Sequence, residues 1–232
     1  MRARLKILAA VLMTLSVSFA VFAATVATPQ VQHQPAQPKS AQPVTITAQL
    51  NSFTAVSNVT LRVQVVEPGA YLRKTDAAYT NDWREFPMSP RAGGFAAAIP
   101  AELQQHRRLV RYVVMITDRS GTVTRLPSAT NDCPNFAYFV SDGLGAWTGA
   151  SQPGKTPLLT FPSEFMDTLP AYQIIARRED VEQSQWDGGA NKKRFPGTMI
   201  YDGRVYDHIQ FHNRGKASTH ARLGQKQMGL QV

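Results

Sequence analysis

Between residues 44 and 142 the chain alternates apolar and polar residues in short runs, and this pattern constrains the fold more than any other feature. The run SNVTLRVQVV puts polar residues on one face and aliphatic residues on the other, the latter being Val59, Leu61, Val63 and Val65. A period of two indicates a strand with one face buried and one face towards solvent. The segment is therefore predicted to be β structure.

Further runs of the same kind lie between turn residues on both sides of this strand. They are VTITAQL, REFPMSP, GGFAAAIP, RLVRYVVMITD, RSGTVTRLP and FAYFVSDG. About seven short strands without helical periodicity are typical of an antiparallel β-sandwich of the immunoglobulin or fibronectin type. We therefore predict a mainly β protein with an Ig-like sandwich over residues 44–142.

The first 27 residues have the pattern of a secretory signal peptide. Three basic residues precede the apolar run ILAAVLMTLSVSFAVFAA, and small residues allow cleavage after Ala23 or Ala27. This pattern predicts an exported protein, secreted or periplasmic, with no membrane attachment after cleavage. An uncleaved membrane anchor is the alternative, because the apolar run approaches the length of a bilayer span. Residues 28–43 are rich in Pro and Gln, which predicts a disordered linker.

Charge and cysteine content narrow the functional classes. Cys133 is the single cysteine, so no disulfide within the chain is possible and the fold depends on its apolar core. The net charge of +9 is uneven, because residues 189–232 hold 8 Lys and Arg against 2 acidic residues. This basic end either faces a phosphate-bearing ligand or is a solvated surface. The sequence indicates no nucleic-acid partner.

A second linker is predicted over residues 143–168, which are rich in Gly, Pro and Ser. Its stretch GASQPGKT matches the spacing of a phosphate-binding loop through Gly149, Gly154, Lys155 and Thr156. Such a loop must lead from a buried strand into a helix, whereas prolines at 157 and 162 would interrupt a helix here. The match is therefore interpreted as coincidental.

Residues 169–232 have a different pattern, that of a small α+β segment. LPAYQIIA predicts a strand, RREDVEQSQW a short helix, and TMIYDGRVYDHIQFHNR a hairpin that turns at Asp202-Gly203. Regular alternation in the second hairpin strand would put Asp207 on one face and His208 on the other. His208 and His212 would then lie roughly 13 Å apart, too far to bind one metal ion. No metal site is predicted, even with His220 included.

This segment resembles the start of the spore coat protein H (CotH) kinase-like family. The resemblance lies in LPAYQIIARREDV, in TMIYDGRVYDHIQF and in the turn NRGKAST, and many exported members carry an Ig-like sandwich ahead of this region. The resemblance implies part of a kinase-like N-lobe over residues 169–232. It also implies that Gly215, Ser218 and Lys226 contact nucleotide phosphates. A polar turn with a solvated lysine is the alternative.

Kinases bind their metal ions through carboxylates of a C-lobe far downstream of such a hairpin. Too few residues follow the hairpin for a C-lobe, so the resemblance implies a truncated region without catalytic activity of its own. ATP and Mg²⁺ would be cofactors only of a complete domain. The alternative function is a carbohydrate- or protein-binding β-sandwich at the cell envelope. Tyr71, Tyr79 and Trp83 are then candidates for sugar stacking, although core packing explains them better.

Overall fold

The fold is known from a computed structural model, which describes residues 29–50, 55–150, 156–186, 193–214 and 227–231. Within these ranges the protein is mainly β, with 47% of residues in strands and 11% in helices. Every strand pair in them is antiparallel. The prediction of a mainly β, antiparallel fold is confirmed.

Nine strands form two sheets in the first part of the chain. The first sheet has the order β1-β2-β6-β5, and the second has the order β4-β3-β7-β8, with β9 also paired to β7. The short helix α1 lies between β3 and β4, and one 3-10 turn lies between β6 and β7. The bounds are β1 Gln30–Gln34, β2 Val44–Gln49, β3 Val56–Val66, α1 Ala77–Asn81, β4 Arg84–Pro87, β5 Ser89–Arg91, β6 Gly94–Ile99, the 3-10 turn Ala101–Leu103, β7 Leu109–Asp118, β8 Val123–Leu126 and β9 Phe136–Phe139.

The two sheets face each other across one apolar core. Ile46 and Ile99 come from the first sheet, Leu61 and Val114 come from the second, and all four are fully buried in one cluster. Burying one such side chain contributes about 1.5–3 kcal/mol. The prediction for β3 is confirmed, because the aliphatic residues on its predicted buried face, from Val59 to Val65, pack in this core. The arrangement is that of a β-sandwich.

The prediction that residues 28–43 form a disordered linker is wrong for the described part of that segment. Residues 30–34 form β1, which pairs with β2 in an antiparallel register from Gln30↔Gln49 to Gln34↔Thr45. The segment after β1 is also fixed, because Gln37 Nε2 donates to the Phe139 carbonyl at 2.7 Å. Backbone pairing orders this segment even though its composition is polar, and order begins before Val44.

Residues 143–168, which were predicted to be a linker, contain regular secondary structure. Strands β10 (Trp147–Gly149) and β11 (Leu159–Phe161) form a hairpin, and helix α2 (Ser163–Met166) follows it. A strand, not a helix, therefore follows the stretch that resembles a phosphate-binding loop. This geometry agrees with interpreting that match as coincidental.

The last part of the chain forms a separate four-stranded sheet with the order β12-β13-β14-β15. The predicted order of strand, helix and hairpin is confirmed by β12, α3, β13 and β14. The turn between β13 and β14 has φ of +49° at Asp202 and +69° at Gly203, as a two-residue type I′ turn requires. The bounds are β12 Tyr172–Ile175, α3 Arg178–Trp186, β13 Phe195–Tyr201, β14 Arg204–Arg214 and β15 Gln227–Gln231.

The helices of the described ranges are short. The longest, α3, has nine residues, and none of them is long and apolar enough to cross a membrane.

Candidate functional site

A buried ion pair joins the sandwich to the C-terminal sheet. Arg111 of β7 donates from Nε to Asp207 Oδ2 at 2.7 Å and from Nη2 to Oδ1 at 3.0 Å. The two side chains are 0% and 1% exposed. A fork of two parallel bonds is the strongest arrangement of these two groups. The pair therefore fixes β14 against β7, although the two residues are 96 positions apart.

Four further donors surround the Asp207 carboxylate. The Thr198 hydroxyl lies 2.5 Å from it, the His208 backbone N–H 2.8 Å, Asn135 Nδ2 3.0 Å and the Tyr71 hydroxyl 3.3 Å. Together with Arg111 these donors fill the acceptor positions that a carboxylate offers. Asp207 is thus a structural anchor, and it has no free lone pair for a substrate proton or a metal ion.

The guanidinium of Arg111 is equally enclosed. Its Nη1 donates to Gln64 Oε1 at 3.2 Å and to the Leu72 carbonyl at 2.9 Å. Its Cζ lies 5.0 Å from the ring centre of Tyr71 and 5.3 Å from that of Tyr79. Aromatic faces stabilise a cation that has lost its water, so the pair remains charged although it is buried.

A β-bulge brings His208 into the same cluster, and the predicted separation of Asp207 and His208 onto opposite faces is wrong. Gly197 pairs with Ile209 and Met199 pairs with Tyr206, so two residues of β14 stand opposite Thr198. His208 has φ +58°, which turns its side chain inward. Its ring contacts Asn135 and lies edge-on to Tyr79 at 5.5 Å.

The charges within the cluster follow from this geometry. Burial would raise the pKa of Asp207, but the charge and hydrogen bonds of Arg111 outweigh it and hold that pKa below its usual range. Burial lowers the pKa of His208 to about 4, against an opposing effect of Asp207. The imidazole is therefore neutral at pH 7. Its Nε2–H donates to Asn135 Oδ1 at 2.7 Å, and its 3.4 Å approach to Asp207 is not an ion pair.

Two more ion pairs secure the same junction from helix α3 and the residue before it. Arg73 donates to Asp180 at 2.8 Å, and Arg177 donates to Asp76 at 2.5 Å. The Arg178 backbone N–H also bonds to the Gly69 carbonyl. These pairs are partly exposed, so each contributes less than the Arg111–Asp207 pair. They show that the C-terminal sheet is docked through charges on several elements.

An open cavity of about 630 Å³ lies beside the ion pair, and we call it the β1–β9 groove. Its volume is in the usual range for ligand pockets. His33 is one of its lining residues; the Tyr112 hydroxyl donates to His33 Nδ1, and His33 Nε2 donates to the Ala36 carbonyl. The groove is lined by residues of β1, of β9 and its preceding loop, and of β14. They include Gln32, His33, Cys133, Asn135, Ala137 and Asp207.

A row of stacked aromatic rings lies on the surface of the β10–β11 hairpin, and we call Trp147, Phe161 and Phe165 the aromatic row. The first pair of ring centres is 5.8 Å apart and the second pair is 5.4 Å apart, with interplanar angles of 29° and 28°. Trp147 is 49% exposed and Phe165 is 47% exposed. Leu159, in the same strand as Phe161, is 58% exposed, and Leu158, which precedes that strand, is 72% exposed. A soluble protein seldom exposes so many large apolar side chains together without a binding role.

The hairpin holds these rings by simple strand geometry. Trp147 is directly opposite Phe161, and Leu159 is two residues before Phe161, so all three share one face. The other face carries Thr148 and Thr160, whose hydroxyls bond at 2.8 Å. A Cβ at Gly149 would lie 2.2 Å from the Trp147 ring. The absence of a side chain at Gly149 therefore lets the indole lie flat along the strand.

The residues predicted to contact phosphates, Gly215, Ser218 and Lys226, lie outside the described residues, as does His220. The three aromatics considered for sugar stacking are within them. Tyr71 is buried and Tyr79 packs on Arg111, while Trp83 Nε1 donates to the Tyr79 carbonyl at 2.6 Å. These side chains serve packing, as the alternative interpretation expected. No group of three His, Cys, Asp or Glu within the described ranges could hold a metal ion.

Neither the buried cluster nor the aromatic row was identified from the sequence, although each left a signal there. Arg111 is the one charged residue inside the apolar run LVRYVVMI, and Asp207 is an acid inside the strand VYDHIQF. Opposite charges on two apolar strands indicate a buried pair. Trp147, Phe161 and Phe165 are large apolar residues within a segment of turn composition.

Comparison with known proteins gives no family assignment. No family model, no curated protein and no solved structure matches this chain.

Proposed function

We propose that this chain is an exported protein-binding module whose partner docks on the aromatic row. The observation that carries the proposal is the exposure of Trp147 and Phe165 in one stacked row with Phe161. Aromatic side chains that fill a partner's pocket dominate the binding energy of many interfaces. Export rests on the signal-peptide pattern of residues 1–27.

The chemistry of the surface favours a protein over a glycan as the partner. A sugar-binding platform combines ring stacking with polar side chains that take the sugar hydroxyls. Leu159 shares the face of Trp147 and Phe161, and its side chain offers no hydrogen bond and is more than half exposed. The partner's surface is therefore apolar where it meets the row.

A β-sandwich precedes the aromatic row in the chain. The strand order β1-β2-β6-β5 facing β4-β3-β7 agrees with the order of an immunoglobulin-like sandwich and supports that interpretation of residues 44–142. Asp167 also fixes the start of the hairpin segment, because its carboxylate accepts the Leu144 backbone N–H at 2.7 Å. A surface held in this way loses little entropy on binding.

Photo-crosslinking in the producing cell tests the proposal. A benzoylphenylalanine placed at Phe165 should give a discrete crosslinked protein, which is then purified and titrated against the chain. We expect Trp147→Ala to weaken that binding by roughly thirty-fold, the effect of losing an interface hot spot. The same photo-label at Ser120, an exposed position in a turn of the sandwich, serves as the matched control.

Three results would contradict the proposal. The first is the same crosslink from Phe165 and from Ser120, and the second is unchanged affinity in Trp147→Ala. The third is saturable binding of a defined oligosaccharide that Trp147→Ala abolishes, which would replace the protein partner by a glycan. Mass spectrometry of the secreted chain tests export separately, with a mature protein starting at Ala24 or Thr28 as the expected result.

A second candidate function is phosphate or nucleotide binding by a CotH-type kinase-like region over residues 169–232. The observation that favours it is the order β12, α3, β13–β14 hairpin and β15 in one sheet, which agrees with the order of elements in that family. In this candidate function Gly215, Ser218 and Lys226, which follow β14 in the sequence, contact the phosphates. Asp207 would not hold a metal ion there, because Arg111 and four other donors already occupy its carboxylate.

Calorimetric titration of the full chain with ATP, with and without Mg²⁺, tests this candidate. We expect ATP binding without hydrolysis and a clear loss of binding in Lys226→Ala. Lys39→Ala, which removes an equal charge from the sandwich, is the control. Binding that is equal in both variants would reject the site, and hydrolysis of ATP by the purified chain would reject the absence of catalysis.

A further inference from the structure

The β1–β9 groove follows the edges of two strands. Its lining includes the consecutive residues Val31, Gln32, His33 and Gln34 of β1. Consecutive residues of a strand point to opposite faces, so a groove that touches all four runs along the edge of the strand. On the other side it touches Asn135, Phe136 and Ala137 in succession, which places it along the edge of β9 in the same way.

Neither edge is paired with a second strand in the described part of the chain. Within the described ranges β1 pairs only with β2, and β9 pairs only with β7. The Val140 N–H bonds to the Arg108 carbonyl, while the Phe139 carbonyl takes Gln37 Nε2 instead of a β7 donor. Because hydrogen bonding alternates along an antiparallel pair, the N–H and C=O of Ala137 also point away from β7.

The lining is close to neutral. Asp207 is the one acidic side chain among its lining residues, and Arg111 neutralises it. The remaining residues are apolar or uncharged, including Val31, Gln32 and Phe136. The edge of β1 has no lysine and no proline between Gln30 and Gln34, which are the usual means of blocking strand addition.

We propose that the β1–β9 groove binds an extended, uncharged segment of another polypeptide, which adds to the sheet as a strand on the free edge of β1. The five residues of β1 can pair with a segment of about the same length, which is about 17 Å. Backbone hydrogen bonds to β1 supply the affinity, and the alternate side chains of the segment enter the neutral groove. A charged segment is disfavoured because the groove has no free countercharge.

The test uses the full chain labelled with ¹⁵N and the synthetic peptide acetyl-VTITAQ-amide, which copies β2, the natural partner of β1. We expect saturable binding below about 1 mM and slower amide exchange at alternate residues of β1. A peptide with proline in place of its isoleucine lacks the central N–H, so it should not bind. Gln32→Lys should weaken binding roughly ten-fold, whereas Gln49→Lys, which adds the same charge to β2 outside the groove, should not.

The proposal is overturned by any of three results. They are no saturable binding of the peptide, equal binding of its proline form, or binding that leaves amide exchange in β1 unchanged. Trp147→Ala is expected to bind the peptide normally. The outcome at the groove is therefore independent of the outcome at the aromatic row.

Discussion

Removing the charge of Asp207 is expected to destabilise the whole chain strongly. Asp207→Asn keeps the size of the side chain but leaves the Arg111 guanidinium, 0% exposed, without a counterion. The new amide group would also bring its NH₂ against Arg111 or Asn135, both of which donate in the native cluster. Both effects act on side chains that are almost fully buried.

Breaking a buried ion pair from one side costs about 3–5 kcal/mol. A typical domain has about 5–15 kcal/mol of stability in total. For a chain of this length the loss corresponds to a decrease in Tm of roughly 6–20 °C. The C-terminal sheet should lose its protection against amide exchange first, because the pair links it to the sandwich beside the apolar cluster that Leu109 and Phe139 share with Ile175 and Ile200.

Urea unfolding followed by tryptophan fluorescence measures this loss. The matched control is Glu85→Gln, which breaks the surface pair of Arg62 and Glu85, whose carboxylate is 64% exposed. That variant should lose less than about 1 kcal/mol. The reasoning is refuted if Asp207→Asn and Glu85→Gln lose equal amounts of stability.

Three smaller predictions follow from the same region. Burial lowers the pKa of His208 to about 4 in the native state, from the ordinary value of about 6.5, so stability should fall by up to about 3 kcal/mol as pH falls from 6.5 to 4; equilibrium unfolding of His208→Asn should show a flatter profile. Gly197→Ala should cost about 1–3 kcal/mol in thermal unfolding, because its Cβ would lie 2.8 Å from the Ile175 carbonyl. Cys133 is exposed, but partial loss of solvation and the nearby Asp207 carboxylate raise the pKa of its thiol, so iodoacetamide should alkylate it more slowly at pH 7 than a free thiol.

The sandwich was predictable because its strands bury one face and expose the other. The turn at Asp202-Gly203 was also predictable, since both residues tolerate the positive φ that the hairpin requires. Strand β1 was not, because only Val31 and His33 face inward and its order comes from backbone pairing with β2. Composition is a poor guide where hydrogen bonds, rather than apolar burial, fix a segment.

The buried cluster was missed for a different reason. A bulge adds one residue to one strand, and regular alternation then assigns every later side chain to the wrong face. Here regular alternation would group Val205 with Ile209, but the bulge separates them: Val205 packs in the cluster of Ile200, whereas Ile209 packs with Met199 on the other face of the sheet. The pairing of Asp207 with Arg111 could be identified only from the three-dimensional structure, because Arg111 lies 96 residues earlier in the chain.

The most direct test of the central claim is the affinity of the crosslinked partner for two variants of one hairpin. Trp147→Ala removes a ring of the aromatic row, whereas Thr160→Ala alters the opposite face of the same two strands. The account predicts a roughly thirty-fold loss of affinity for Trp147→Ala and less than about a two-fold loss for Thr160→Ala. Equal affinities for the two variants would contradict the assignment of the aromatic row as the binding surface.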